Sequence, residues 1–298
     1  MSQPTLARPP LNPSRKREGL KKQPPRERVA PHMPIEISAR FSFSLDRLCD
    51  VLLQFEAAAI PEQRILTRNS RITGAEHIAR IAAQDGIGER VWLHVEGRCE
   101  VTYTASATLH RLLPDIATLA RLEPHELPAE AVQYLFDSRY CPADRFQPFV
   151  EAEFGGTGGG ARVAAIRDWI AANLSYVPGC SDSNTTALDS FVERRGICRD
   201  YAHVLIALAR ASAIPARYCS VYAPGVEPPD FHAVAEVFLA DPGVPGGGAW
   251  HLVDGTKMAD PADTVKIGVG RDAADVSFMT VFGEATFEDK EVSVRKTP

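Results

Sequence analysis

The sequence lacks the features that would place the protein in a membrane or on a nucleic acid. Its 298 residues contain no apolar run of the roughly 18 residues that a membrane helix needs, and no apolar signal-peptide core near the N-terminus. The formal net charge is −5, which does not favour binding to nucleic acid. We therefore expect a soluble, cytoplasmic protein with no membrane span and no nucleic-acid partner.

Closely spaced cysteine pairs are also absent. None of the six cysteines is spaced as CxxC, the usual arrangement in a structural zinc site. Without an export signal, reduced thiols are the default state, and a chain of this size can build its core without disulfides. We expect free thiols, no metal and no cofactor.

Large apolar residues are almost missing from the first 30 residues. That stretch is rich in proline and holds eight Lys or Arg against two Asp or Glu, a net charge of +6, so the rest of the chain carries −11. Such a composition cannot bury enough apolar surface to offset the entropy of ordering. We predict a disordered, basic, proline-rich tail over residues 1–33.

The chain after this tail has the balance of a globular protein, with 45% hydrophobic and 24% charged residues. Residues 35–43 alternate apolar and polar side chains, and residues 91–104 are rich in β-branched and aromatic residues. The run at 48–59 fits a helix or a strand equally well. We predict a β-rich N-terminal domain over 34–115.

Prolines interrupt every helical pattern between this domain and residue 159, so we predict a helical linker at 116–159. The glycine run at 155–160 has no Lys-Ser/Thr ending, which argues against a phosphate-binding loop.

The remaining pattern is three helices followed by three strands. The predicted helices are at about 161–174, 185–194 and 198–212, and the predicted strands at 216–223, 232–240 and 249–254. We assign a catalytic domain to 160–290 and a C-terminal tail to 291–298.

Cys198 stands where a thiol can be activated. It directly follows Gly196 and Ile197 at the start of the third predicted helix. The positive end of the helix dipole favours a thiolate there, and the first backbone N–H groups have no intrahelical partner and can bind an oxyanion. These properties make Cys198 the candidate nucleophile.

A histidine and an aspartate follow on the predicted strands. His232 begins the second strand, where it could exchange a proton with Cys198. Asp254 ends the third strand and would orient the imidazole if the two strands pair. Order and spacing alone are weak support for a catalytic triad, because most isolated cysteines and histidines are structural.

Three sequence blocks raise this support because together they resemble a known family. GICRDYAHVLIALARASAIPARYCSVY at 196–222, DFHAVAEVFL at 230–239 and WHLVDGT at 250–256 are similar to bacterial transglutaminase-like proteins. The resemblance covers roughly 160–256. Ala213 departs from the pattern, since the family more often has glycine there.

The resemblance implies an α+β protein with a papain-like transglutaminase core, behind a β-rich N-terminal domain. It implies that Cys198, His232 and Asp254 act as nucleophile, acid–base and orienting group in acyl transfer. The implied substrate is a peptide or amide, including glutamine-containing peptides. Hydrolysis by a cysteine peptidase or amidase is the first hypothesis, with transglutaminase activity and a catalytically inactive interaction module as the alternatives.

Three polar residues close in sequence to Cys198 have other predicted roles. Asn184 is a candidate second oxyanion donor, although capping of the helix at 185–194, together with Thr185, is the more common role for such a residue. Asp200 and His203 lie on the helix that begins at Cys198 but point away from the thiol, so we predict that they hydrogen-bond within the scaffold.

Overall fold

A computed structural model describes residues 33–244 and 247–297. The predicted disorder of the basic tail therefore lies outside the described residues, apart from Met33. None of the helices in the described part of the chain is long and apolar enough to cross a membrane.

The first part of the chain folds into a sheet of long strands, which confirms the predicted β-rich N-terminal region. Alternating apolar side chains of its first strand face a core that includes Ile35, Phe41 and Val51. The strands of this sheet are β1 (Ile35–Leu53), β2 (Gln63–Ala82), β3 (Glu89–Leu109), β10 (Met279–Val281) and β11 (Thr286–Lys296). Their order is β10-β1-β3-β2, and β11 also pairs with β1.

The last strand corrects the predicted C-terminal tail at 291–298. Residues through Lys296 belong to β11, which pairs antiparallel with β1 from Ile35 opposite Lys296 to Ser44 opposite Thr286. Most β11 side chains are exposed and Val292 is buried. The strand is therefore held largely by backbone pairing with a distant segment, which its own polar sequence does not indicate.

Helices follow the first sheet. The predicted linker contains short 3-10 turns and two α-helices, α1 (Ala129–Val132) and α2 (Gln147–Phe154). The three predicted helices are present as α3 (Gly159–Asn173), α4 (Ala187–Glu193) and α5 (Cys198–Ala211). The predicted capping of α4 by Asn184 and Thr185 is wrong. Thr186 caps this helix, because its hydroxyl accepts the Asp189 N–H while the Asp189 carboxylate accepts the Thr186 N–H.

A second antiparallel sheet holds the predicted strands 216–223, 232–240 and 249–254. Its strands are β6 (Ala216–Tyr222), β7 (His232–Ala240), β8 (Gly248–Val253) and β9 (Val265–Gly270), in the order β8-β7-β6-β9. Two further strands, β4 (Ser175–Tyr176) and β5 (Arg195–Gly196), form a separate parallel pair.

The second sheet is covered on both faces. Side chains such as Ala235 and Val237 share a core with the apolar residues of α5. Tyr222 and Ile267 share a core with the first sheet, and the Tyr222 hydroxyl donates to the Phe55 carbonyl at 2.6 Å. The α5 layer, the second sheet and the first sheet are therefore stacked as three layers, in agreement with the predicted α+β class.

A charged cluster lies buried within this stack. Glu236 of β7 is 0% exposed, accepts from Nε of Arg217 at 2.8 Å and contacts Nζ of Lys266. Arg217 also donates to Asp85 at 2.9 Å. Burial alone would raise the pKa of Glu236, but Arg217 and Lys266 outweigh it and lower this pKa to about 2. Each charge in the cluster therefore depends on its partners.

Glu236→Ala should destabilise the protein strongly, because Arg217 and Lys266 would lose the one fully buried carboxylate that they share and keep only the more exposed Asp85 and Glu62. We expect a loss of about 3–5 kcal/mol in the free energy of unfolding, measured by urea denaturation at pH 7. Glu193→Ala, which removes a carboxylate from an exposed pair with Arg195, is the control and should change little.

The pH dependence of the same variant provides a second check. A lowered carboxylate pKa contributes stability above about pH 4.5 that is lost as the pH falls toward about 2. The difference between wild type and Glu236→Ala should therefore shrink across this window. A loss below about 1 kcal/mol at pH 7 would contradict the role given to the cluster.

Candidate functional site

Cys198 is the first residue of α5, and the turn that leads into the helix is unusually tight. The Asp200 carboxylate accepts the Ile197 N–H at 2.9 Å, as predicted for a scaffold residue. A Cβ on Gly196 would lie 2.6 Å from the Asp200 Cβ, so only glycine fits at this position. The turn holds the Cys198 side chain partly exposed at the helix N-terminus.

His232 and Asp254 meet at the end of the second sheet. His232 begins β7, and Asp254 directly follows β8, which pairs antiparallel with β7. Nε2 of His232 lies 3.0 Å from Oδ2 of Asp254. The Asp254 carboxylate also accepts the backbone N–H groups of Thr256 and Ala259, each at 2.8 Å, which fixes its orientation.

The electrostatics of this pair favour a charged imidazole. Burial opposes the proton on His232, but its contacts with Asp254 and Cys198 raise the pKa of His232 to about 10. Burial also opposes the Asp254 charge, yet His232 and the backbone donors hold the pKa of Asp254 below its usual value. The arrangement therefore stabilises an imidazolium between two groups that can carry negative charge.

The second ring nitrogen of His232, Nδ1, is buried and has no hydrogen-bond partner with full geometry among the described residues. Cys198 is nevertheless close enough to influence the pKa of His232. Because Nε2 is occupied by Asp254, Nδ1 is the nitrogen available to exchange a proton with Cys198. Such contacts are often long before substrate binds.

Tyr176 is a site residue that the sequence did not indicate. It lies in β4, whose parallel pairing with β5 places Tyr176 opposite Gly196, two residues before Cys198. Tyr176 and Cys198 line the same cavity. Burial, together with the neighbouring Cys198, raises the pKa of Tyr176 to about 12, so the phenol stays protonated and can donate. A pairing of two residues leaves no recognisable pattern in the sequence.

Asn184, the predicted second oxyanion donor, does not lie at Cys198. Its side chain is exposed in the loop before α4, its backbone N–H donates to Asp182 at 2.7 Å, and it is not among the residues that line the cavity at Cys198. The arrangement therefore does not bring this oxyanion candidate to the thiol.

A cavity of about 390 Å³ opens at Cys198 and His232. Apolar and aromatic side chains form most of its wall, and charged residues lie among them. Its lining residues include Tyr176, Cys198, Arg199, Asp230, Phe231, His232, Ala273, Phe278 and Lys290. A second cavity, of about 550 Å³, is lined by Asp254 but by neither Cys198 nor His232. The smaller cavity is therefore the one that could hold a reacting carbonyl.

His203 supports one wall of this cavity, as expected for a scaffold residue. It is fully buried, and its Nε2 accepts the Ala273 N–H at 3.1 Å. Burial and the nearby Arg199 and Arg210 lower the pKa of His203, which keeps the imidazole neutral and able to accept. The segment that begins at Ala273 is thereby tied to α5.

Comparisons with known proteins identify the same region. The model of the transglutaminase-like superfamily matches residues 150–255, the segment that contains Cys198, His232 and Asp254. A crystal structure of a candidate cysteine protease from Cytophaga hutchinsonii is 31% identical, has a TM-score of 0.82, and matches over 90% of this chain and 92% of its own. An uncharacterised protein from Mycobacterium leprae is 32% identical over 127 residues, and the match spans 39% of this chain and 42% of that relative.

The family resemblance read from the three sequence blocks is thus confirmed by an independent family model and by a structure that is similar over nearly the whole chain. The chain belongs to the transglutaminase-like superfamily, and these similarities support a cysteine-dependent enzyme of the peptidase or acyltransferase kind.

Proposed function

We propose that the protein hydrolyses a peptide or amide bond through a thioester on Cys198, with His232 as acid–base and Asp254 as the orienting group. The observation that carries this proposal is one continuous set of contacts. Asp254 bonds to Nε2 of His232, and His232 lies beside Cys198 in a cavity that can admit a carbonyl group. Acyl transfer to a thiolate uses a nucleophile, an acid–base group beside it and a carboxylate that orients the acid–base group.

The first half-reaction forms the thioester. The Cys198 thiolate attacks the substrate carbonyl carbon, a C–S bond forms, and the carbonyl electrons move onto oxygen. When this tetrahedral intermediate collapses, the C–N bond breaks and Nδ1 of His232 gives its proton to the departing amine. Asp254 keeps the imidazolium stable through this step, because it already holds Nε2–H.

Water completes the reaction. Neutral His232 accepts a proton from water at Nδ1 while the water oxygen attacks the thioester carbon. Collapse of the second tetrahedral intermediate breaks the C–S bond, releases a carboxylic acid and restores the thiolate–imidazolium pair. If an amine took the place of water, the same thioester would give transamidation, the alternative named above.

Tyr176 belongs to the proposed machinery as an oxyanion donor. Tyr176 lines the cavity beside Cys198, so its hydroxyl and the Cys198 backbone N–H are the two donors available to the substrate oxygen that becomes negative. We propose that the oxyanion accepts from both groups.

Cys198→Ala and His232→Ala should each abolish turnover with little change in thermal unfolding. Asp254→Asn should lower kcat by about 10- to 1000-fold, because it weakens the imidazolium and can favour the wrong tautomer. The assay is cleavage of a defined peptide mixture followed by mass spectrometry, with and without a primary amine in excess. Amine-coupled products in place of acids would establish transamidation, and full activity of Cys198→Ala would refute the proposal.

The pH profile of the Asp254→Asn variant provides a further readout. The raised pKa of His232 means that the imidazolium, and the activity that needs it, persists into the alkaline range and is lost as the pH approaches about 10. Removing the Asp254 charge should move the alkaline limb of kcat/KM to lower pH. If kcat/KM declined at the same alkaline pH in the wild type and in Asp254→Asn, Asp254 would not set the His232 pKa.

Iodoacetamide should alkylate Cys198 before the other five cysteines at pH 6–7, because the imidazolium beside it stabilises a thiolate. Burial raises the pKa of Cys141 to about 12 and that of Cys99 to about 11, so both should react slowly. Cys180, which is also partly exposed, is the matched control. His232→Ala should slow the labelling of Cys198 and leave that of Cys180 unchanged; equal effects on the two thiols would count against the pair.

Tyr176→Phe should lower kcat by about 100-fold, with little change in KM, because one of two oxyanion donors is lost. The rate of Cys198 alkylation should not fall, since that reaction forms no oxyanion. Tyr201→Phe is the matched control, because its hydroxyl donates to the Leu174 carbonyl at 2.8 Å and does not line the cavity. Equal kcat losses in the two variants would contradict a catalytic role for Tyr176.

A further inference from the structure

The wall of the cavity opposite α5 comes from the C-terminal part of the chain. Phe278 stacks on Phe231, the residue before His232, with ring centroids 5.1 Å apart and planes at 14°. Lys290 of β11 lies directly opposite Phe41 of β1, and Phe41 packs against both of these rings. The register of β11 on β1 therefore places the Lys290 side chain next to the aromatic wall of the cavity.

Lys290 reaches across to the segment that precedes His232. Its Nζ donates to Oδ2 of Asp230, and both side chains are partly exposed, at 31% and 36%. Oδ1 of Asp230 is already used, since it accepts the Phe231 N–H at 2.7 Å. The carboxylate in the wall is thus engaged through both oxygens.

The Lys290 ammonium group has N–H donors that are not used by Asp230. An ammonium group has three N–H donors, and Asp230 is the only acceptor of Nζ within the described part of the chain. The other cation in the wall, Arg199, already donates to the Asp200 carboxylate and to the Asp182 carbonyl. Two cations, Arg199 and Lys290, thus line the cavity against one carboxylate, Asp230, and this balance of charge suits an anionic hydrogen-bond acceptor.

We propose that Lys290 binds a carboxylate of the substrate, so that the preferred acyl donors are acidic peptides whose adjoining apolar side chain packs on Phe231 and Phe278. This proposal rests on the proposed function in one respect, because it treats the cavity at Cys198 as the acyl-donor site. The carboxylate can come from a Glu or Asp side chain or from a free peptide C-terminus, and Lys290 would recognise either one.

The test measures peptide binding to the Cys198→Ala protein, which separates recognition from turnover. The probes are N-acetylated hexapeptide amides in which Glu is moved through every position, the same peptides with Gln, and one set with a free C-terminal acid. We expect Glu or the free acid to bind at least about tenfold more tightly than its neutral counterpart at one position, by isothermal calorimetry.

Adding Lys290→Met should abolish this preference, whereas Lys290→Arg should keep it. Lys296→Met is the matched control, because Lys296 lies on the same strand and also pairs with an aspartate, Asp263, but does not line the cavity. Thermal unfolding of each variant checks that β11 remains folded.

Three results would overturn the proposal: no difference between acidic and neutral peptides, a difference that survives Lys290→Met, or an equal loss of both peptides in that variant. The last result would mean that Lys290 only holds Asp230 in place. If the wild-type protein cleaves no peptide but Cys198→Ala still prefers the acidic one through Lys290, the proposed function fails and the carboxylate site stands.

Discussion

Burial of the second sheet on both faces is the constraint on which the rest of the structure depends. With α5 on one side and the first sheet on the other, strand β7 has almost no contact with water. Charges in such surroundings must be paired, and their interactions are stronger than at a surface. Glu236, in the middle of β7, meets this requirement through Arg217 and Lys266.

The same constraint accounts for the properties of the candidate site. His232 begins the same strand, is 2% exposed, and has its charge stabilised by Asp254 and Cys198 against the cost of burial. In water, a carboxylate and a thiol would have a much weaker effect on an imidazole. The fold thus supplies the dry surroundings in which a thiolate–imidazolium pair is favoured, and the thiol itself lies at a boundary of this region that opens into a cavity.

The sequence predicted those parts of the molecule that local patterns encode. The helix that begins at Cys198 and the strands that carry His232 and Asp254 follow from periodicity, glycine positions and the three family blocks. It did not predict Tyr176 or the role of β11. Tyr176 reaches Cys198 through a parallel pair of two residues, and β11 is a polar strand whose partner, β1, lies near the other end of the chain. Capping of α4 was misplaced because Asn184, Thr185 and Thr186 are all acceptable caps by composition, and only the reciprocal bonds with Asp189 distinguish Thr186.

The pairing of β1 with β11 also has a consequence for biosynthesis. One edge of β1 can pair with β3 early, but its other edge, from Ile35 to Ser44, stays open until residues 286–296 have left the ribosome. An open edge of a long strand is a template for wrong pairing with other chains. β11 is the last strand to be made, so the edge of β1 from Ile35 to Ser44 is the part that waits, and this interval is the segment of the nascent protein that a chaperone would protect.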